Sequence, residues 1–460
     1  MSTIAWIALT SLVAWVWLLL GQGLFWRTDQ RLPRRSAPAR WPSVAVVVPA
    51  RDEAEVLPLS LPSLLAQDYP GPLEIFLVDD GSEDGTGDVA RALAVRHGGP
   101  PLTVVTPGAP EPGWTGKLWA LRHGIERARA RGAEAFADAG GEAGRGGRAG
   151  TRRDPGGAGG ATGPDGATGP DGATGQGGAT APGAATGPDG ATGSDAATGP
   201  RGPEYLLLTD ADIAHEPDSL RELVCAATSN GLDLVSQMAR LRTVTAWERL
   251  IVPAFVYFFA KLYPFRRVNR PGTRTAAAAG GCVLLREEAA VRARVPEAIR
   301  RAVIDDVSLA RAVRRAGGRV WLGLADRVDS VRPYPGLADL WRMVARSAYA
   351  QLWHNPFVLA GTVAGLAVVY LAPPAALGAG LCAGDAAAGA LGAAAWAVMA
   401  GTYVPVLRYY RQSPGRAFLL PFTACLYLCM TVDSAVRHHR GHGAAWKGRT
   451  YPHPGTAAES

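Results

Sequence analysis

The sequence predicts an α/β domain on a mostly parallel sheet, with apolar helices at both ends of the chain. Three observations point there. Short apolar runs alternate with stretches of helical spacing. Two of those runs stop abruptly at paired acids, Asp79–Asp80 and Asp210/Asp212. Long, almost uncharged apolar segments occupy residues 4–26 and much of the chain beyond residue 356. At 460 residues there is room for a large core as well as membrane segments. The net charge of +7 is clustered near the apolar segments, which fits a membrane surface and gives no reason to expect a nucleic-acid partner. Five cysteines with no metal-ligand spacing argue against a disulfide scaffold and fit a reducing compartment.

Residues 4–26 are long enough to cross a bilayer as a helix. No basic stretch precedes them and no small-residue cleavage site ends them, so they read as an uncleaved anchor over residues 1–28. Arg27, Arg31, Arg34, Arg35 and Arg40 follow, and the positive-inside rule makes that side cytoplasmic. Residues 44–48 form a β-branched run closed by Pro49, a buried strand. Residues 54–66 carry leucines at helical spacing. Residues 73–78 are a second strand, ended by Asp79 and Asp80. The turn Gly81–Thr86 leads into a helix, and residues 102–106 make a third strand. Strand, helix, strand, helix, strand implies a parallel layer, whose ligands gather at the carboxyl ends of strands.

The run Tyr-Leu-Leu-Leu-Thr-Asp-Ala-Asp-Ile at 205–213 is the centre of the reading. On an extended strand residues two apart share a face, so Asp210 and Asp212 are expected to share one target. Two carboxylates side by side call for a cation, and hard oxygen atoms suit Mg2+ or Mn2+. The competing reading is a loop with two solvated aspartates.

Val-Val-Val-Pro-Ala-Arg-Asp-Glu at 46–53, Val-Asp-Asp-Gly-Ser-Glu-Asp-Gly-Thr at 78–86 and Thr-Asp-Ala-Asp at 209–212, in that order, resemble the family 2 glycosyltransferases of the GT-A fold. Residues 113–120, 304–309 and 446–451 are similar to the hopene-associated, membrane-bound members of that family. The resemblance implies a GT-A domain over residues 42–352, metal-dependent, using a nucleotide-sugar donor. It implies that Pro49, Arg51, Glu53, Asp79, Asp80, Lys117 and Asp210 face the donor, and that Asp212 and Asp210 hold Mg2+ or Mn2+. Lys117, flanked by Gly113 and Gly116, suits a diphosphate as a point charge. The resemblance makes Asp306 the general base of a single, inverting displacement, and places Gly280, Gly281, Asp305, Arg342 and Arg346 on the acceptor or phosphate side. Asp305 and Asp306 also stand where acids cap a helix, and the glycine pair also suits a bulge. The Asp305-Asp306 pair departs from the family's usual Glu-Asp, and the Gln/Arg-x-x-Arg-Trp of processive members is missing after it. Transfer of a single sugar to a lipid, hopanoid-linked by resemblance, is therefore expected; a processive polysaccharide synthase and a non-catalytic membrane scaffold are the alternatives.

Residues 139–203 repeat Gly-Ala-Thr-Gly-Pro-Asp with small variations and resemble collagen, but Ala181, Ala184 and Ala196 interrupt the glycine period. Without large apolar residues the stretch cannot repay its ordering entropy, so a disordered surface insert is expected between a helix near 118–131 and the strand at 205. Residues 232–238 read as another strand. The aromatic and basic residues of 247–267 fit either a helix in the membrane interface or a core helix. Residues 357–381, 386–407 and 417–432, within a membrane region of 355–434, read as three membrane helices. Three full crossings would leave the basic tail, 435–460, outside, against the positive-inside rule. A multi-pass membrane protein with a cytoplasmic catalytic domain is expected.

Overall fold

The computed structural model describes residues 1–145, 202–440, 445–446 and 449–450. One unit comprises Met1–Gly132 with Gly202–Ser460, and a second comprises Ala133–Arg201, of which only the helical stretch 133–145 is described. The first helix, α1 (Thr3–Gly21), is capped by Ser2, whose Oγ accepts the Ala5 N–H. Strand β1 (Val44–Ala50) is buried along its whole length, as a valine run between two covered faces should be. Helix α2 (Leu57–Leu65) buries Leu57, Leu61, Leu64 and Leu65. Then come β2 (Leu73–Asp79), α3 (Thr86–His97), β3 (Leu102–Val105) and α4 (Gly116–Arg145). The chain returns as β4 (Tyr205–Thr209), β5 (Ile213–His215), α5 (Ser219–Asn230) and β6 (Leu234–Arg240). It continues as α6 (Ala246–Leu262), α7 (Phe265–Asn269), β7 (Cys282–Arg286), α8 (Glu287–Arg292), α9 (Asp305–Arg315) and β8 (Val320–Ser330).

The eight strands form one sheet in the order β3-β2-β1-β4-β7-β6-β8-β5. β3, β2, β1 and β4 run parallel, as do β6 and β8. β7 runs antiparallel between β4 and β6, and Cys282 stands opposite Thr209. That pairing brings the residues just before β7, Gly280 and Gly281, beside the carboxyl end of β4. Helix α4 comes close to the sheet because Gly124 has no side chain: a Cβ there would lie 2.4 Å from Val47 and 2.8 Å from Val78. This close approach sets the first turn of α4, with Lys117, over the strand ends.

Two expectations change here. α4 runs to Arg145, past residue 139 where the insert was expected to begin, and Pro203 is buried. Residues 146–201 of the insert lie outside the described residues. The backbones of Gly132 and Gly202 touch, since a Cβ on Gly132 would stand 2.6 Å from the Gly202 Cα. Of the two readings open for residues 247–267, an interfacial or a core helix, α6 takes the second: Ile251, Val252, Ala254, Val256 and Tyr257 are all buried.

The C-terminal part comprises α10 (Leu337–Ala348), α11 (Pro356–Leu366), α12 (Ala372–Ala383), α13 (Ala386–Tyr409) and α14 (Leu420–His439). Among the described residues, four helical segments are long and apolar enough to cross a membrane: Thr3–Gly21, Pro356–Ala383, Ala386–Tyr409 and Pro414–His439. α11 and α12 are joined through a π-helical stretch, Ala367–Leu371. Pro373 and Pro374 follow it and have no N–H to offer the preceding carbonyls. The Val369 carbonyl instead accepts Trp15 Nε1 at 2.7 Å and Ser11 Oγ at 3.4 Å from α1. The last two apolar segments both pack on the catalytic part: on α13, Thr402 meets Tyr257 of α6 at 2.7 Å and Tyr409 donates to the Ala325 carbonyl at 2.6 Å. α14 lies along α6 and α10: Tyr427 donates to the Ile251 carbonyl (3.0 Å), Trp341 Nε1 donates to Asp433 (2.7 Å), and Ser434 donates to the Ala345 carbonyl.

Candidate active site

β4 ends at Thr209, and the chain then turns, with the Ile213 N–H on the Asp210 carbonyl at 3.2 Å. The expectation of an extended Asp210–Asp212 stretch is therefore corrected. The turn sends the two carboxylates to different cations. Asp210 Oδ1 meets Lys117 Nζ at 2.8 Å, and Asp212 Oδ2 accepts Arg332 Nε at 2.7 Å. Both still line a single cleft of about 1200 Å³, together with Pro49, Glu53, Lys117, Gly280, Gly281, Asp305, Asp306, Arg342 and Arg346.

Lys117 also reaches Asp305 Oδ2 at 3.1 Å. Burial alone would lower the lysine pKa, but Asp210 and Asp305 outweigh it and hold Lys117 above the ordinary value. Asp305 stands in the first turn of α9, as the capping reading has it, but makes no side-chain cap and gives its carboxylate to Lys117. Asp306 is held differently. Gly280 N–H donates to its Oδ2 at 3.0 Å and Val307 N–H to its Oδ1 at 2.7 Å. Removal from water pushes Asp306 up, and the Asp305 charge adds to that. Lys117 and the two N–H donors oppose, leaving the carboxyl at about 7. Gly280 stands between the two groups: a Cβ there would lie 3.4 Å from Lys117 Nζ and 3.5 Å from the Asp306 Cβ, in ordinary contact with both.

The sequence reading missed Arg332. Its Nη2 lies 2.7 Å from both Glu53 oxygens, while its Nε holds Asp212. Burial would lower its pKa, but Asp212 and Glu53 overcome this and raise it. Glu248 fixes the loop that carries Arg332. It closes a capping box with Thr245 at the start of α6 and accepts the Tyr334 N–H at 2.9 Å. Of the remaining expected donor residues, Asp79 accepts the Ser82 N–H at 3.0 Å and so shapes its own turn. Asp80 is buried, and its N–H bonds the Ala50 carbonyl. Arg51 donates to the Gly81 carbonyl at 3.2 Å. Arg342 pairs with Asp339, and Arg346 is exposed on the next turn of α10.

Asp210 and Asp212 offer the hard oxygens that Mg2+ and Mn2+ take, and no third His, Cys, Asp or Glu joins them among the described residues. Mg2+ is often held by one or two carboxylates completed by water and substrate phosphate. In this structure each carboxylate is paired with a side-chain cation, Asp210 with Lys117 and Asp212 with Arg332, so an ion there would compete with both.

The sequence profile described as "Glycosyltransferase like family 2" matches residues 42–139, and that described as "Glycosyl transferase family 21" matches residues 200–453. The chain belongs to glycosyl transferase family 21. This family 21 member has a GT-A-like α/β fold, with the family 2-like match ending at residue 139, within α4. Over 57 residues it is 37% identical to "Glycosyltransferase AglE" of Haloferax volcanii, a stretch covering 12% of this chain and 19% of that protein. The chain thus spans about a fifth of that relative. Among solved structures it is similar to the mannosyltransferase PcManGT from Pyrobaculum calidifontis in complex with GDP-Man and Mn2+, at 17% identity and a TM-score of 0.49, covering 94% of this chain and 99% of that one. It is also similar to S. aureus TarS 1–349 in complex with UDP-GlcNAc, at 11% identity and a TM-score of 0.34, covering 87% and 92%.

Proposed function

We propose that this family 21 glycosyltransferase moves one sugar from a nucleotide-diphosphate donor to a lipid hydroxyl, with inversion. The observation that carries this is Asp306: a carboxylate fixed by two backbone N–H groups, in the same cleft as Asp210 and Asp212. The acceptor oxygen attacks the anomeric carbon while Asp306 takes its proton, the anomeric carbon–phosphate oxygen bond breaks, and the nucleoside diphosphate leaves. No protein nucleophile is needed. Asp210 and Asp212 would hold a divalent ion, which when bound offsets charge on the diphosphate. Lys117, set between Asp305 and Asp210, offsets one of their two charges beside Asp306, so that the base faces one uncompensated charge fewer.

The lipid acceptor and the membrane setting draw support from the helices around the cleft. α10 and α14 line one end of it, and Trp353 leads into the apolar segment Pro356–Ala383. In this reading α1, α11–α12 and α13 cross the membrane. α14 lies along the catalytic part, with Phe418, Leu419 and Phe422 exposed at its start to face lipid. Arg27, Arg31, Arg34 and Arg35 then share the cytoplasmic side with Arg437 and Arg440, which removes the conflict that three C-terminal crossings create. The hopanoid link rests on the motif resemblance alone, and part of it, residues 447–448 and 451, lies outside the described residues. The test is transfer or donor hydrolysis by purified full-length protein with Mn2+ or Mg2+, over a panel of nucleotide sugars and membrane lipids. Donor binding without transfer to any lipid, alongside a long soluble glycan product, would favour the processive alternative.

A further inference from the structure

The cleft changes sign along its length. Its inner end holds the four carboxylates Asp210, Asp212, Asp305 and Asp306, with Lys117 and Arg332 set among them. Its other end is basic, built where α10, the segment after it and α14 meet. Arg346, Arg437, His354 and His438 line it. The helices are locked together there, because Ser434 donates to the Ala345 carbonyl and its Oγ accepts the Tyr349 N–H at 3.1 Å. This places the turn carrying Arg346 against the turn carrying Arg437 and His438. The His354 and His438 rings stack at 4.3 Å with planes 18° apart. Arg437 has Asp433 at 2.7 Å, but Asp433 also accepts from Trp341. Arg346 has no carboxylate within ion-pair distance among the described residues, unlike Arg342 one turn earlier. Two guanidinium groups and two imidazoles thus line one wall of the cleft. Such a concentration of fork-shaped donors is matched by phosphate oxygens.

Position decides what kind of phosphate this is. The donor diphosphate belongs at the inner end, with the carboxylate pair that fits its cation. The basic residues are continuous in the chain with the membrane-length helices: His354 stands two residues before α11 begins at Pro356, and Arg437 and His438 lie in the last turn of α14. Apolar side chains line the same cleft, Leu241, Phe255, Phe259 and Met343 among them. We propose that the acceptor is an anionic lipid whose head group joins a polyol to the lipid through a phosphodiester: the phosphate rests on Arg346, Arg437 and the His354–His438 pair, and a polyol hydroxyl reaches Asp306. This rests on the glycosyl-transfer reading above and names its acceptor class. The hydroxyl oxygen forms the new bond to the sugar, its proton passes to Asp306, and the phosphodiester is left intact as an anchor.

The test measures binding without donor, so that it stands apart from catalysis. Full-length protein in neutral detergent is titrated with short-chain phosphatidylglycerol, with a glycosyl diacylglycerol of the same chain length that lacks the phosphate, with glycerol phosphate, and with a nucleoside diphosphate plus Mn2+. The phosphatidylglycerol should bind at least about tenfold tighter than the uncharged lipid, the worth of a charge-assisted hydrogen bond. The double variant Arg346→Gln, Arg437→Gln should bring the two lipids within about twofold of each other, with nucleoside diphosphate affinity unchanged. Arg408→Gln, an exposed arginine outside the cleft, should leave the preference intact. If the double variant unfolds, Arg346→Gln alone carries the test, since that side chain is exposed and its loss breaks no ion pair. Equal affinity of wild type for both lipids overturns the proposal. So does a loss of nucleoside diphosphate affinity in the variant, which would give the arginines to the donor. Glycerol phosphate binding as tightly as the lipid would make the ligand a soluble anion and overturn it as well. Donor binding that fails altogether would instead count against the glycosyl-transfer reading, whatever the lipids do.

Discussion

The Gly280 N–H points at Asp306, 3.0 Å from its Oδ2, so a residue read as lining the acceptor side also aims the carboxylate proposed as the base. Asp306→Asn keeps the size of the side chain but cannot take a proton. Turnover should fall by roughly two to four orders of magnitude, the range for removing a positioned base. Donor affinity should change by less than about threefold, because Asp306 does not touch the Asp210–Asp212 end. Single-turnover transfer and equilibrium donor binding separate the two. A loss confined to donor affinity would mean the base is elsewhere.

The pH profile follows from the same carboxylate. With its pKa raised to about 7, Asp306 is protonated and inactive as a base below that pH in the free enzyme. The rate under subsaturating substrate should rise about tenfold per pH unit on the acid side and level off above about 7. A limb centred near the ordinary aspartate value, about 4, would contradict the assignment.

Asp305→Asn tests the neighbouring charge. Asp305 raises the Asp306 pKa, so its neutralisation should move the rising limb to lower pH. Lys117 keeps Asp210 at 2.8 Å, so the fold should persist. A helix-capping role would lower thermal stability and leave the limb where it was. The direction of the pH shift distinguishes the two.

Arg332→Gln removes the cation shared by Glu53 and Asp212, whose side chains are 7% and 15% exposed. Stability should drop by about 2–3 kcal/mol, less than for a fully buried pair because the guanidinium is partly open to water. Mn2+ titrated against the donor-free protein, followed by electron paramagnetic resonance, should bind more tightly to the variant, since Asp212 no longer has a resident partner. Weaker Mn2+ binding would show that Arg332 does not compete for that carboxylate.

Trp15→Phe removes the indole N–H from the Val369 carbonyl while keeping an aromatic ring against Tyr370, whose centroid is 5.2 Å away. The expected loss is about 1 kcal/mol, read as a lower unfolding temperature in detergent, with donor affinity unaltered. An unchanged unfolding temperature would mean Ser11 or water satisfies the carbonyl equally well.

Much of the fold could be read because its signals are local. β1, β2 and β4 are apolar runs with sharp ends, and the acids sit where a parallel sheet gathers its ligands. Asp210, Asp212, Lys117, Gly280 and Asp306 were legible as residues, though not as partners. Arg332 was not, because nothing in Val-Arg-Pro-Tyr distinguishes it; its role exists only once β8 carries it beside Glu53, 279 positions away in sequence. The partner of Asp305 was not legible for a related reason. A helix N-terminus accounts for an acid there locally, and only the approach of α4 at Gly124 brings Lys117 to claim it. The final apolar segment was hard to place because hydropathy averages over Asp433 and Ser434, the two residues that tie α14 to α10. The length of α4 was missed because its last turns fall in the glycine-rich stretch, where composition gives no helical signal.

The contact between Gly132 and Gly202 makes this seam a natural port for foreign cargo. A protein module whose own termini lie close together could be grafted across it with a short linker at each side, because the host chain already leaves and re-enters at one spot and bridging it adds little loop-closure entropy. Neither glycine lines the cleft, so a fluorescent reporter or an affinity handle placed there would label the enzyme while leaving both the cleft and the apolar helices at the two ends untouched.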